Sequence, residues 1–214
     1  MSKRRISRWR NDGYATANYT QILNAATAGQ PDKPSKDLTL VYRDALAGAW
    51  LTDEVDPWLP VGSSLPTLTR SPKHFLADPA LAARLLDLSA DNLLRGSTPD
   101  PLGPQQSTLL GRFFEALVVQ SLHTYAAVND ARLGHLRLKE GKREVDFVIA
   151  RGRDVIAVEV KLNPIVDTSD VRHLNWFAEA FATYNVTKII ITPGPYAYTR
   201  PDKVHVIPAI LLGA

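Results

Sequence analysis

Two carboxylates and an ammonium lie close together in REVDFVIARGRDVIAVEVK, residues 143–161. Asp146, Glu159 and Lys161 are the residue types that metal-assisted phosphoryl chemistry uses. A hard divalent cation takes carboxylate oxygens, and Mg²⁺ favours one or two of them with several waters and a substrate's phosphate oxygens. Lys161, two residues beyond Glu159, points to the same face of a strand, within reach of anything held there. The competing reading is a solvated face on which Glu144 and Lys161 form a surface salt bridge.

Placing these groups together requires a hairpin in one register. Gly152 stands at the first central position of Arg151-Gly152-Arg153-Asp154, where a type II′ turn needs φ > 0. If Arg151 faces Asp154, then Val145 faces Val160, Phe147 faces Val158 and Ile149 faces Ile156, which gives one apolar, buried face. The other face then opposes Asp146 to Glu159 and Glu144 to Lys161. Directly opposed residues have Cβ atoms about 4.5–5.5 Å apart, and like charges there are destabilising. A divalent cation between the two carboxylates would remove that repulsion.

The flanking elements follow from periodicity and turn signals. Residues 108–127 read as a helix, with Leu109, Leu110, Phe113, Phe114, Leu117, Val118 and Tyr125 on one broad stripe. Glu115 falls at the margin of that stripe, where a charge ordinarily reaches water. LGHLRL, followed by a turn through Lys139-Glu140-Gly141-Lys142, supplies a strand before the hairpin. After Lys161, Thr168 or Ser169 caps a helix running to about Tyr184. KIIIT and KVHVIP are further strands, so strand, helix and strand in succession imply a parallel crossover. The second half is therefore an α/β layer fold of order α-β-β-β-α-β-β.

Upstream, residues 19–30 read as a short helix, and LTLVYRDALAGAW as a second, with Asp37 as N-cap. WLPVGSSLPTLTR reads as two strands around a Gly-Ser-Ser turn, which makes the order that of a winged helix. Residues 75–95 read as one Ala- and Leu-rich helical stretch. The divisions expected are a basic arm at 1–14, a winged-helix-like domain at 15–95, a Pro/Gly-rich linker at 96–107 and the α/β domain at 108–214.

Composition bounds the rest. The 214 residues suffice for one large or two small domains. Hydrophobic residues make up 45% and charged residues 22%, as in folded soluble proteins. With no cysteine, disulfides and thiolate metal sites are excluded, which suits a reducing cytoplasm. No apolar run approaches the ~20 residues a membrane span needs. The net charge is +3 and the pI about 9.2, a lean toward an anionic partner. Lys3, Arg4, Arg5, Arg8 and Arg10 have no acidic residue among them. They form either a solvated tail or an arm that contacts DNA phosphates.

This order of residues resembles the PD-(D/E)XK nuclease superfamily, which places a glutamate on its first helix, an aspartate on one hairpin strand and Glu-x-Lys on the next. The matching positions are Glu115, Asp146, Glu159 and Lys161, and Val145 replaces the proline that usually precedes the aspartate. A closer similarity, from about residue 15 to the end, is carried by KPSKDLTLVYRDAL, SPKHFLADPALAARLL, LLGRFFEALVV, REVDFVI, VEVK and DVRHLNW. These segments resemble the C-terminal half of a family of bacterial AAA-type ATPases, in wording close to its actinobacterial branch. That half is a nuclease-like domain preceded by a winged-helix-like segment. No G-x-x-x-x-G-K-[ST] occurs, so the chain is expected to be a truncated or stand-alone relative without ATP chemistry.

The resemblance implies a restriction-endonuclease-like core in which Asp146, Glu159 and the Val160 carbonyl bind Mg²⁺ or Mn²⁺. Lys161 would stabilise charge on the phosphate, and Glu115 would complete the shell or hold a second metal. The expected activity is phosphodiester hydrolysis of DNA. The alternatives are a catalytically silent DNA-binding module or a regulatory module that partners an ATPase. His123, His135 and His173 read as surface or core-edge residues, with a second reading for His173, beside Arg172, as a residue that faces a phosphate. Trp176, Phe177 and Phe181 stand at helical spacing and read as core.

Overall fold

The computed structural model describes residues 34–60, 71–95, 106–138 and 143–213. They fall into two compact units, one taking 34–54, 71–95 and 106–116, the other 55–60, 117–138 and 143–213. The basic arm, the helix expected at 19–30, the Gly-Ser-Ser turn, the turn at 139–142 and the linker up to residue 105 lie outside the described residues.

In the first unit, α1 (Lys36–Gly48) is capped by Ser35, whose Oγ accepts the Leu38 N–H at 3.1 Å. Asp37, the expected cap, instead occupies the first turn, where its charge suits the helix dipole. The paired strands are β1 (Thr52–Val55) and β2 (Lys73–Leu76), which flank the stretch expected to form them. Residues 61–70 of that stretch lie outside the described residues, and Val55 and Phe75 supply buried side chains on either side of it.

The single helix expected at 75–95 is instead the end of β2 followed by two short helices. Asp78 starts α2 (Pro79–Leu85) by accepting the Ala80 N–H at 2.7 Å, with Pro79 where no N–H is needed. Asp87, at φ 57°, ends that run. Ser89 Oγ then accepts the Asn92 N–H at 3.1 Å at the start of α3 (Ala90–Arg95). The Ala/Leu composition is continuous, but two caps interrupt it.

Helix α4 (Gln106–Val128) begins in the first unit and ends in the second. Its buried residues are Phe113, Ala116, Val118, Val119, Leu122 and Ala126, while Leu117 is 54% exposed. Phe113 and Val118 of the expected stripe are thus buried and Leu117 is not, while the small Ala116 and Ala126 are buried beside them.

Among the described residues, the second unit's sheet has strand order β3-β4-β5-β6-β8-β7. Its strands are β3 (Arg132–Arg137), β4 (Glu144–Arg151), β5 (Asp154–Val160), β6 (Asn185–Thr192), β7 (Tyr198–Thr199) and β8 (Val204–Pro208). The pairings β3/β4, β4/β5 and β7/β8 are antiparallel. β5/β6 and β6/β8 are parallel, so the expected crossover through α5 (Arg172–Ala180) is present. The sheet is mixed and the fold is α/β. The hairpin register is the expected one, with Phe147 facing Val158, Ile149 facing Ile156 and Arg151 facing Asp154. Gly152 has the positive φ, 62°, that its turn requires.

Both faces of this sheet are covered, not one as the alternation suggested. Val148, Val155 and Ala157 pack into a core with Val171, Leu174, Phe177 and Phe181 of the α5 region. On the opposite face Ile149, Ile156, Val158, Ile189 and Ile191 line a cleft with Leu122 and Tyr125 of α4. Strand β5 is accordingly apolar on both sides, as strands at the centre of a covered sheet are. Helix α5 ends at Ala180, and neither Thr168 nor Ser169 caps it. Asp167 Oδ1 takes the N–H groups of Ser169 and Asp170 and the Ser169 hydroxyl, closing a turn ahead of the helix. A carboxylate outcompetes a hydroxyl as acceptor there.

The segment 56–58 adds to the β3 edge. His135 N–H donates to Asp56 O at 3.0 Å, and Trp58 N–H donates to His135 O at 2.7 Å. A Cβ on Gly134 would stand 3.0 Å from both Asp56 O and Trp58 Cβ, so this approach needs glycine. Trp58 thereby packs on Phe177, Phe181 and Tyr184, with ring centroids 5.4, 5.1 and 5.5 Å away. Among the described residues no helix is long and apolar enough to cross a membrane.

Candidate active site

The site forms where β5 leaves β4. Their main-chain register runs from Arg151/Asp154 to Phe147/Val158. Beyond it, Asp146 Oδ2 accepts the Val160 N–H at 3.0 Å, so a carboxylate replaces the next main-chain acceptor. Lys161 N–H donates to Ile191 O of β6 at 2.9 Å. The end of β5 is thus pinned from both neighbouring strands, which fixes the directions of the side chains at 159 and 161.

Glu159 is 3% exposed, on the face covered by α5. Its Oε2 accepts from Lys161 Nζ at 2.8 Å, and the lysine side chain is 31% exposed. A buried carboxylate is tolerable only when paired, and Lys161 supplies the pair while still reaching solvent. His173, in the first turn of α5, brings Nδ1 to 3.9 Å from Glu159 Oε1. Its Nε2 accepts from Arg172 Nε at 3.1 Å.

The solvated-face reading therefore fails on two points. Glu159 is buried, and Glu144 pairs with Arg137 of β3 at 3.7 Å while Lys161 turns to Glu159. The carboxylates are reconciled by protein groups, since Asp146 serves a main-chain N–H and Glu159 an ammonium.

The electrostatics favour positive charge at this spot. Burial works against the Lys161 ammonium, but Glu159, then Asp146 and Asp170, outweigh it and hold its pKa above the ordinary lysine value. His173 moves the other way. Burial, then Arg172, with further pushes from Lys161 and Arg143, lowers it against a hydrogen bond to the Glu144 main chain.

The donor set fits a hard divalent cation. Asp146 and Glu159 offer oxygen ligands at a point that already holds a cationic group. Among the described residues no three His, Asp or Glu side chains gather as a metal site, and Mg²⁺ does not require three, because it retains several waters. Val160 meets the cluster through its N–H.

Glu115 belongs to the first unit, where its Oε1 accepts from Lys73 Nζ at 2.8 Å. That pair is largely buried, with side-chain exposures of 20% and 7%. Glu115→Ala should lower unfolding free energy by about 2–4 kcal/mol, because it strands a buried ammonium. Urea titration checks this, and a loss below about 0.5 kcal/mol would mean the pair is dispensable.

Asp146, Glu159, Lys161 and His173 thus come together in the second unit. Sequence reasoning did not single out Arg143, Arg172 or Asp170. Arg172 carried a usable signal, since a basic residue in the first turn of a helix opposes the dipole. Arg143 and Asp170 carried none.

Residues 110–212 match the model of a family described as a domain of unknown function, DUF4143. The match takes in the whole six-stranded sheet, α5 and all four residues of the cluster. No curated protein matches the chain.

Proposed function

We propose that the second unit is a nuclease-like domain that hydrolyses phosphodiester bonds of DNA with Mg²⁺ or Mn²⁺ held by Asp146 and Glu159. The observation that carries this reading is the burial of Glu159 beside Asp146, with a half-exposed Lys161 as the group that reaches outward. A buried carboxylate with a second, partly buried one near the same ammonium is a costly arrangement for a purely structural site. Bound there, a divalent cation supplies a Lewis acid for the phosphate and activates water for attack. Lys161 stabilises the charge that develops on the phosphate oxygens. Glu159 and Asp146 hold that ammonium protonated across the neutral range. The similarity to PD-(D/E)XK nucleases supports the same assignment, and Lys3, Arg4, Arg5, Arg8 and Arg10 would add phosphate contacts.

Metal binding is tested by melting temperature. Mg²⁺ should raise it by mass action, and Asp146→Asn should remove that rise. The asparagine oxygen can still accept the Val160 N–H, so the substitution should cost under about 1 kcal/mol of stability. An unchanged response to Mg²⁺ in Asp146→Asn would place the metal elsewhere.

A second reading is favoured by the way the cluster closes on itself, with Lys161 on Glu159 and Asp146 on Val160. A catalytically silent domain could keep that arrangement as a structural ion pair. It would then serve as a DNA-binding or regulatory module beside an ATPase, as the similarity to the C-terminal halves of AAA-type ATPases suggests. Metal-dependent cleavage separates the two readings.

A further inference from the structure

We infer that Arg143 and Arg172 form a clamp for a second backbone phosphate of bound DNA, beside the Asp146–Glu159 pair. Its location rests on the function proposed above, and it adds the contact that would hold the substrate strand.

Two basic side chains stand against Glu159, and two arginines adjoin the same helix turn. Lys161 is bonded to Glu159, and His173 stands against the same carboxylate. Arg172 donates Nε to His173 Nε2 at 3.1 Å, which fixes the plane of its guanidinium. Arg143 lies over the Trp176 ring, 5.6 Å from its centroid. A planar cation stacked on an aromatic face is already oriented, so less freedom is lost when it binds. Arg172, Lys161 and Arg143 all act electrostatically on the His173 ring, so the three cations lie in its neighbourhood.

The pairing pattern distinguishes these two arginines from their neighbours. Arg137 has Glu144 and Lys161 has Glu159. Among the described residues, no carboxylate bridges Arg143 or Arg172. Arg172 and His173 also occupy the first turn of α5, the end at which a helix disfavours cations. Conflicts of this kind concentrate at functional sites, and an anion would resolve this one. A guanidinium fork matches phosphate oxygens in bidentate fashion. Such contacts follow the backbone and do not read bases, so the clamp should act on DNA of any sequence.

The test is fluorescence anisotropy with a labelled duplex DNA in EDTA, where neither metal nor cleavage intervenes, across a range of salt concentrations. Arg143→Gln combined with Arg172→Gln should weaken binding about 10-fold or more. Each lost contact should flatten the log–log salt slope by about 0.9. Lysine at both positions should retain the slope, which shows that folding has survived. Arg153→Gln should change nothing, because Arg153 lies at the hairpin turn and donates to Thr183 O. Wild-type slope and affinity in the double glutamine variant would overturn the clamp. So would an equal loss in Arg153→Gln, which would mean diffuse attraction. Arginine-dependent binding without cleavage would refute the hydrolase reading alone. Cleavage indifferent to both arginines would refute the clamp alone.

Discussion

Lys161→Ala should lower metal-dependent DNA cleavage by about 10²-fold or more while leaving DNA and Mg²⁺ affinity within a few-fold. The asymmetry follows from where the ammonium sits. It pairs with a buried carboxylate and is itself partly exposed, so under the proposed function it would meet charge that grows on the phosphate during reaction. Interactions stronger in the transition state than in the ground state are the ones that accelerate chemistry. The same substitution leaves Glu159 buried without its ammonium, which should cost several kcal/mol of stability in the absence of metal. Added Mg²⁺ should restore much of that loss through mass action. Cleavage is therefore compared at a Mg²⁺ concentration at which circular dichroism reports both proteins folded. A Lys161→Ala protein that cuts DNA as fast as wild type would remove the lysine from the reaction.

The second large effect concerns the fold. Trp58→Ala should destabilise the second unit by about 3 kcal/mol, in the range measured for large aromatic truncations. Trp58 meets Phe177, Phe181 and Tyr184, and each aromatic pair contributes about 0.5–1.5 kcal/mol beyond area burial. Total stabilities of about 5–15 kcal/mol make this a large fraction. Denaturant titration should show a lower midpoint at unchanged slope. A loss below about 1 kcal/mol would mean that residues 56–58 merely lie against β3 and do not stabilise the sheet.

The hairpin was legible because its turn chemistry and its apolar pairs agree on one register. Gly152 and the pairs Phe147/Val158 and Ile149/Ile156 each point to the same answer. The crossover and the helical core of α5 were legible for the same reason, with Phe177 and Phe181 buried as their spacing implied. Side-chain pairing was less legible. Alternation says which face Glu159 and Lys161 share, but not that Lys161 turns back along its own strand while Glu144 goes to Arg137. The contribution of residues 56–58 was invisible, because no local pattern announces a segment that docks on a strand far away in sequence. The caps at Ser35, Asp78 and Ser89 were overlooked in favour of Asp37 and a continuous Ala/Leu composition, although each is a standard acceptor one step before a helix.

The most direct test of the central claim is the fate of supercoiled plasmid incubated with the wild-type protein in Mg²⁺ or Mn²⁺, beside EDTA and Asp146→Asn controls. The account predicts nicked and linear products that appear with metal and vanish in both controls. Intact plasmid, at a metal concentration that raises the melting temperature of wild type but not of Asp146→Asn, would contradict it.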